Sequence, residues 1–180
     1  AIKDIQGVLE KNYSQYEIII LSYAHNKVDE LIFKSELIKL DGLRFVKLSQ
    51  NSDLDVMISA GLDMCLGDVC VVLQPEIDDS NLIPQFVDKC LETQSVVLGL
   101  RKSTKKDGWA YRMGRASFYF ICDRILQVNL PRKTTYFLAM ERKSITQLLN
   151  FKHKFRFLKV LLNAIGAKTT LYEYDASVSL

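Results

Sequence analysis

An acidic cluster directly follows an apolar run near the middle of the chain. The run, residues 69–73, is typical of a strand covered on both faces, and Glu76, Asp78 and Asp79 lie just past its end. In an open α/β sheet, ligands bind at the carboxyl edge of the strands. Carboxylates gathered there repel one another, so they predict a site for Mg²⁺ or Mn²⁺ carrying a diphosphate. Taken alone, the acids favour a solvated turn between a strand and a helix over such a site.

Helical and strand patterns alternate on both sides of this cluster, without internal repeats. The periodicity predicts helices over residues 2–11, 28–40, 54–65, 82–92, 109–126, 144–149 and 155–165. It predicts strands over residues 17–21, 44–48, 69–73, 95–100, 136–140 and 169–174. Such alternation is typical of an α/β domain with helices on both sides of a parallel sheet.

The amino-acid composition limits the number of domains, the class of partner and the cellular location. A chain of 180 residues that is 48% hydrophobic and 25% charged suits one domain, residues 1–180. The net charge of +3 does not demand a polyanion, so we expect no nucleic-acid partner. The four cysteines include no C-x-x-C pair, which favours a reducing, cytoplasmic location. No apolar run approaches the ~18 residues that span a bilayer.

Short motifs follow one another in a fixed order along the chain. They are Asn51, Ala60-Gly61-Leu62, Gly67-Asp68, the acid-tipped strand, Ile83-Pro84 and Val97-x-Gly99-x-Arg101. Residues 17–20 upstream, and 156–159 and 165–166 downstream, extend the match over nearly the whole chain. The series resembles glycosyltransferase family 2, and within it the dolichol-phosphate mannose synthase and polyprenyl-phosphate glycosyltransferase branch.

The resemblance implies a fold and an activity. The fold is GT-A, a Rossmann-like three-layer α/β/α arrangement around a mostly parallel mixed sheet. The activity is transfer of a sugar, with inversion, from a nucleotide sugar to a polyprenyl or dolichyl phosphate at the cytosolic face of a membrane. Members of the family also begin with a central strand that residues 1–180 do not match. We therefore expect that the residues are part of a longer product, the alternative being a sheet built without that strand.

The chain departs from the family at three sites that carry chemistry. Ser22 and Tyr23 stand where the resemblance places two nucleotide-binding aspartates; Tyr23 could stack on a base or simply pack against its neighbours. Tyr136 stands where the family commonly has an aspartate that orients or activates the acceptor. Losing a base there matters less than in many transferases, because a phosphate with a second pKa near ~6 is already anionic at neutral pH.

The third departure is at the metal motif, Asp-x-Asp in the family and Gln74-Pro75-Glu76 here. Gln74 offers only a neutral oxygen, whereas a hard divalent cation prefers charged ligands. Asp79 matches a further acid that the family often has. Glu76 and Asp79 are thus the candidate ligands for Mg²⁺ or Mn²⁺. The alternative is an acidic cap on a helix that begins near Ser80.

Basic residues persist where the resemblance places contacts with the lipid phosphate. They are Arg101, Lys102, Arg156 and Lys159. Arginine suits this role because its planar guanidinium binds phosphate through two hydrogen bonds, although a solvated basic rim would have the same composition. The helix predicted at residues 109–126 alternates aromatic and basic residues, which could place one edge of it on a membrane surface.

Two functions remain open from the sequence. The first is sugar transfer, with nucleotide sugar and polyprenyl phosphate as substrates and Mg²⁺ or Mn²⁺ as the cofactor. The second is a catalytically degenerate, non-enzymatic module that keeps the fold and binds lipid or an active glycosyltransferase. The fold alone cannot separate them, because function depends on the site.

Overall fold

The computed structural model describes residues 2–22, 42–48, 53–102, 134–151 and 157–175. Within them it forms five α-helices, α1 (Ile2–Asn12), α2 (Leu54–Met64), α3 (Ile83–Thr93), α4 (Arg142–Asn150) and α5 (Leu158–Ala164), and a short 3₁₀-helix (Ser80–Leu82). The six strands are β1 (Ile18–Ser22), β2 (Leu43–Lys47), β3 (Val69–Val72), β4 (Val96–Lys102), β5 (Thr134–Glu141) and β6 (Thr169–Asp175). The helices expected over residues 28–40 and 109–126 lie outside the described residues. None of the described helices is long and apolar enough to cross a membrane.

The described strands form two sheets. Strands β1 and β2 pair in parallel, whereas β3, β5, β4 and β6 form a four-stranded sheet in that spatial order. Strand β5 runs antiparallel to both of its neighbours, and β4 pairs with β6 in parallel. Three strands of the larger sheet therefore point the same way. Their carboxyl ends share one edge with the beginning of β5.

Helices cover both faces of the four-stranded sheet. On one face, which we call the α2 face, side chains of α2, α4 and α5 pack against Leu98 and Leu138 in one buried cluster. On the other, the α3 face, side chains of α1 and α3 pack against Val97 and Phe137. Neighbouring strand residues enter opposite clusters because side chains alternate along a strand. The expected mixed sheet in a three-layer α/β/α fold is confirmed.

Strand β1 contributes to both clusters although it pairs only with β2 among the described strands. Ile18 packs against the α3-face cluster and Ile19 against the α2-face cluster. Helix α2 lies close to this strand, since a Cβ added at Gly61 would come within 2.8 Å of a Leu21 methyl carbon. Thus β1 continues the layer of the larger sheet without being hydrogen-bonded to it.

Polar side chains of the small sheet contact the turn that follows α2 and leads into β3 of the larger sheet. Glu17, just before β1, accepts hydrogen bonds from the backbone N–H groups of Leu66 and Gly67 and pairs with Arg44 of β2. Arg44 also donates to the Met64 carbonyl at 2.7 Å. Burial opposes ionisation of Glu17, but the Leu66 N–H and Arg44 outweigh it and hold its pKa below the usual value. The ionised Glu17 carboxylate thus links the small sheet to the turn at Leu66 and Gly67 through hydrogen bonds.

Candidate functional site

The candidate site lies at the carboxyl edge of the four-stranded sheet, as the acid-tipped strand predicts. The backbone beyond β3 folds there into a tight loop. The Gln74 carbonyl accepts hydrogen bonds from the N–H groups of Ile77 and Asp78 at 3.0 and 2.9 Å. This loop presents Pro75 and Glu76 to solvent, since both are exposed. The position matching the family's metal motif is therefore the tip of a compact turn.

Asp78 is a structural anchor for this loop. Its side chain is 5% exposed and accepts hydrogen bonds from the Gln74 N–H at 2.9 Å and the Tyr174 hydroxyl at 2.6 Å. The Tyr174 hydroxyl also lies 3.0 Å from Thr135 Oγ1. Burial and the bond to Asp78 raise the pKa of Tyr174. Both carboxylate oxygens of Asp78 are thus occupied by protein donors, which is how a buried charge is normally accommodated.

A glycine makes this arrangement possible. A Cβ at Gly99 would lie 2.8 Å from the Phe137 carbonyl oxygen and 2.8 Å from Tyr174 Cε1. Both are closer than a Cβ tolerates, so a larger residue would force the strands or the tyrosine ring to move. The glycine of the Val97-x-Gly99-x-Arg101 motif is therefore explained by the close approach of Tyr174.

The two candidate metal ligands differ in their surroundings. Asp79 caps the 3₁₀-helix, because its Oδ1 accepts from the Asn81 N–H and the Asn81 amide, each at 2.9 Å. This is the capping role that the sequence left open. Glu76 is exposed at the loop tip. Within the described ranges, no three His, Cys, Asp or Glu side chains are grouped to hold a metal ion. The residues present therefore fit a complete divalent-metal site poorly, and the metal role of Glu76 and Asp79 stays a prediction.

Tyr136 lies on the α2 face, where it is tied to a buried acid that sequence reasoning missed. Its hydroxyl donates to Asp55 Oδ2 at 2.9 Å, and the backbone N–H of Leu158 donates to Asp55 Oδ1 at the same distance. Asp55 is 8% exposed. Burial, then the bond and charge of Asp55, raise the pKa of Tyr136 to about 12. At neutral pH Tyr136 is thus a protonated donor rather than a base.

Lys159 completes this group. Its Nζ donates to the Thr134 carbonyl at 2.7 Å and lies 5.2 Å from the centroid of the Tyr136 ring. Burial lowers the pKa of Lys159, and the Asp55 carboxylate opposes that effect. A cation held half-buried at the strand edge, beside an aromatic ring, can serve an anionic ligand with its remaining hydrogen-bonding capacity. Lys159 thus lies beside the start of β5 at this edge, and its role in holding a phosphate stays a prediction.

The other basic candidates are not all described. Arg101 lies next to Tyr174 in the parallel β4–β6 pair, so its side chain leaves the sheet on the α3 face. Lys159 lies on the α2 face. The structure thus places these two cations at one edge but on opposite faces. Lys102 is exposed at the end of β4, and Arg156 lies outside the described residues.

Of the two nucleotide-binding candidates, Ser22 is described and lies at the end of the small sheet. Ser22 is the last residue of β1, pairs with Lys47, and its carbonyl accepts from the Leu48 N–H at 2.9 Å. Its side chain is half-buried. Tyr23 lies outside the described residues. The proposed roles of Ser22 and Tyr23 stay predictions.

Comparison with known proteins bears on these candidates. No protein-family model matches the chain. A search of curated proteins gives an uncharacterized glycosyltransferase of Synechocystis, 27% identical over 74% of this chain and 42% of its own length. The uncharacterized glycosyltransferase YkcC of Bacillus subtilis is 23% identical over 94% of this chain and 53% of its own. The bactoprenol glucosyl transferase of Shigella phage SfX is 21% identical over 96% and 57%.

The chain is similar to glycosyltransferases. These relatives support the resemblance that the ordered motifs indicate. The chain spans about half the length of the curated relatives it matches. This glycosyltransferase-like chain also matches the fold of a putative glucose-1-phosphate thymidylyltransferase from Bacillus anthracis, with a TM-score of 0.59 and 11% identity over 98% of this chain and 74% of that one. Bifunctional IspDF from Campylobacter jejuni matches with a TM-score of 0.57 and 12% identity over 96% and 40%.

Proposed function

We propose that this chain is the GT-A-type domain of a protein that transfers a sugar from a nucleotide sugar to a polyprenyl phosphate. The observation that carries the proposal is the similarity to bactoprenol glucosyl transferases over 96% of the chain. The three-layer fold supports it, because the acid-bearing loop and Lys159 both lie at the sheet edge where such folds bind ligands. In this proposal, the transfer takes place at the cytosolic face of a membrane, where the polyprenyl phosphate would be presented.

The residues supply this chemistry unevenly. Tyr136 donates to Asp55, so the chain does not offer a base at that position. None is required if the lipid phosphate itself is the nucleophile, because its second pKa of about 6 leaves it anionic at neutral pH. Lys159, with Arg101, Lys102 and Arg156, would hold that phosphate. Because Arg101 and Lys159 lie on opposite faces of the sheet, one phosphate could meet both cations only at the sheet edge itself.

The described acids offer few ligands for the donor's metal ion. Glu76 is exposed at the tip of the loop, whereas Asp78 and Asp79 accept hydrogen bonds from the protein. A single free carboxylate binds Mg²⁺ or Mn²⁺ weakly, since these ions favour several charged oxygens. We therefore expect low affinity for the nucleotide sugar.

The engagement of those acids also favours the second candidate, a non-catalytic module that binds lipid or an active glycosyltransferase. In that case the α2 face and the edge cations would be kept for a partner or a membrane surface, while the donor is not turned over. The two candidates predict different outcomes in the same assay.

The test is transfer of labelled sugar from nucleotide sugars to a short polyprenyl phosphate, with Mn²⁺ or Mg²⁺, by the longest available form of the protein. Sugar transfer that Lys159→Ala lowers at least about tenfold, which is about 1.4 kcal/mol, supports the proposal. Lys168→Ala is the matched control, because Lys168 is exposed and donates to the Thr93 carbonyl, away from the Tyr136–Asp55 group. If the protein binds vesicles that contain polyprenyl phosphate but transfers no sugar, the transferase proposal is wrong and the non-catalytic module is supported.

A further inference from the structure

The buried acid Asp55 contacts both the backbone that carries Lys159 and the ring beside its charge. Oδ1 accepts from the N–H of Leu158, the residue before Lys159, and Oδ2 accepts from the hydroxyl of Tyr136, each at 2.9 Å. The Lys159 Nζ lies over the ring of that tyrosine, 5.2 Å from its centroid. One carboxylate therefore fixes the surroundings of the lysine from two sides.

These contacts join three elements that are far apart in the sequence. Asp55 lies in the first turn of α2, Tyr136 in β5 and Lys159 near the start of α5. Lys159 Nζ also donates to the carbonyl of Thr134, the first residue of β5, at 2.7 Å. An ammonium carries further N–H donors. It is thus held in one place at the sheet edge and can still donate to a ligand.

A buried acid is an unexpected choice if α2 only had to pack against the sheet. Asp55 is 8% exposed, and Leu158 beside it is fully buried. Burying a carboxylate is costly even when it is hydrogen-bonded, and well-packed apolar residues often replace buried charges without loss of stability. Burial lowers the pKa of Lys159, whereas the Asp55 carboxylate opposes this shift. The acid thus favours the charged form of the lysine as well as its position.

We propose that Asp55 is a positioning residue, which holds Lys159 at the sheet edge where the ammonium binds the phosphate of a polyprenyl phosphate. It acts through the Leu158 N–H and the Tyr136 ring. The identity of the ligand rests on the proposed function. Asp55 does not itself meet the phosphate, because both of its oxygens accept from protein donors. A lysine that is already ordered loses less side-chain freedom on binding, so its affinity for the phosphate is higher.

Two variants separate the hydrogen bonds of Asp55 from its charge. Asp55→Asn removes the charge, but its oxygen can still accept from the Leu158 N–H and its amide can donate to the Tyr136 oxygen. Asp55→Ala removes both hydrogen bonds. Asp53→Asn is the control for the lost charge, because Asp53 is exposed and makes no side-chain capping hydrogen bond at the start of α2.

The experiment measures how farnesyl phosphate protects Lys159 from acetylation, and it needs no sugar donor. Trace acetic anhydride labels the native protein, deuterated reagent completes the labelling after denaturation, and mass spectrometry compares Lys159 with the exposed Lys168. In the wild type, saturating farnesyl phosphate should slow acetylation of Lys159 at least about fivefold and leave Lys168 unchanged. Asp55→Ala should raise the concentration for half protection at least about tenfold, whereas Asp55→Asn and Asp53→Asn should stay within about threefold of the wild type.

The fold of each variant is checked in the same sample, because the Cys90 thiol is 0% exposed and resists iodoacetamide only while the protein is folded. If Asp55→Ala does not fold, Tyr136→Phe replaces it; this variant keeps the ring and the Leu158 bond, so it should weaken protection in the same direction but less. A folded Asp55→Ala or Tyr136→Phe protein that binds as the wild type would overturn the proposal. So would an Asp55→Asn protein as weak as Asp55→Ala, since charge rather than hydrogen bonding would then hold the lysine.

The sugar-transfer assay separates this proposal from the proposed function. Sugar transfer by a protein whose Lys159 is not protected would overturn the role of Asp55 alone. Protection that depends on Asp55, without any sugar transfer, would support that role and make the transferase proposal wrong. In an active protein, Asp55→Ala should raise the KM for polyprenyl phosphate at least about tenfold and change kcat less than about threefold, which partial unfolding would not do.

Discussion

The hydrogen bond from Tyr136 to Asp55 is expected to stabilise the fold, and its removal tests the interpretation of Tyr136 as a structural residue. Tyr136→Phe deletes only the hydroxyl, which lies 2.9 Å from Asp55 Oδ2. The Asp55 residue is 8% exposed. A hydrogen bond to a charged group contributes about 1.5–3 kcal/mol, and the abandoned carboxylate oxygen has little access to water. We therefore expect the free energy of unfolding to fall by about 2 kcal/mol.

Asp55→Ala should cost more than Tyr136→Phe. It orphans two donors, the Tyr136 hydroxyl and the Leu158 N–H that opens α5, and each unsatisfied buried donor costs about 1–3 kcal/mol. The expected loss is therefore about 2–6 kcal/mol. In the double variant Tyr136→Phe/Asp55→Ala, the loss in free energy of unfolding should be smaller than the sum of the two single losses, because both changes remove the same hydrogen bond.

The assay is urea denaturation followed by circular dichroism, with Tyr16→Phe as a matched control. The Tyr16 hydroxyl also donates to a carboxylate, that of Glu10 at 3.3 Å, but at the surface. The control should change stability by less than about 0.5 kcal/mol. A Tyr136→Phe protein as stable as Tyr16→Phe, or a strictly additive double variant, would refute the structural interpretation of the pair.

The same bond predicts a dependence on alkaline pH. The folded pKa of Tyr136, about 12, lies above the ordinary value near 10 of the unfolded chain. The unfolded state therefore loses its proton first, and the contribution of Tyr136 is complete below about pH 10 and lost as pH rises through about 12. Stability should fall less steeply over this range in Tyr136→Phe than in the wild type. Parallel pH profiles for the two proteins would contradict the assignment.

Three further predictions follow from the site and from the turn. Asp78→Ala should lower the free energy of unfolding by about 2–5 kcal/mol, against about 1 kcal/mol for the capping Asp79→Ala, and equal losses in urea denaturation would count against the anchoring role of Asp78. Nucleoside diphosphate with Mn²⁺ should stabilise the protein by well under the ~2.7 kcal/mol of a site saturated at 100 times its dissociation constant. A clear metal-dependent rise in melting temperature that Glu76→Ala abolishes would instead indicate an intact donor site. Glu17 has a lowered pKa in the folded state, so its contribution to the free energy of unfolding is complete above its unfolded pKa, near 4.3. That contribution is lost as pH falls through the folded pKa. Acid unfolding should therefore depend less on pH in Glu17→Gln than in Glu10→Gln.

The described elements agree closely with the periodicity of the sequence. Residues 54–65 were predicted as a helix and form α2 at Leu54–Met64, and the strand expected at residues 69–73 is β3 at Val69–Val72. Apolar spacing records which face of each element is buried, so it predicts such elements well. The division into two sheets was not predictable, because pairing between strands leaves no local pattern. The expectation that a first strand is missing from residues 1–180 stays a prediction.

The site was only partly predictable. The motif order located the loop at Glu76, but it did not indicate that Asp78 would be bound by Tyr174 across the sheet. Asp55 did carry a signal, since an acid among the apolar residues of a helix must find partners if it is buried. Which partners it finds depends on the distances that the fold sets between α2, β5 and α5. Those distances cannot be read from one sequence.

The separation of β1 and β2 from the larger sheet has a consequence for how the domain opens. Among the described strands, β1 and β2 pair only with each other, and Glu17 and Arg44 link this small sheet to the turn after α2. Segments whose backbone ladders are separate can open as distinct cooperative units in native-state hydrogen exchange. The amides of β1 and β2 should therefore exchange through a local opening of lower free energy than the amides of β4 and β5. Ser22 belongs to that unit, whereas Glu76 and Lys159 do not, so the proposed nucleotide contact and the proposed acceptor contacts would respond to temperature as two independent parts.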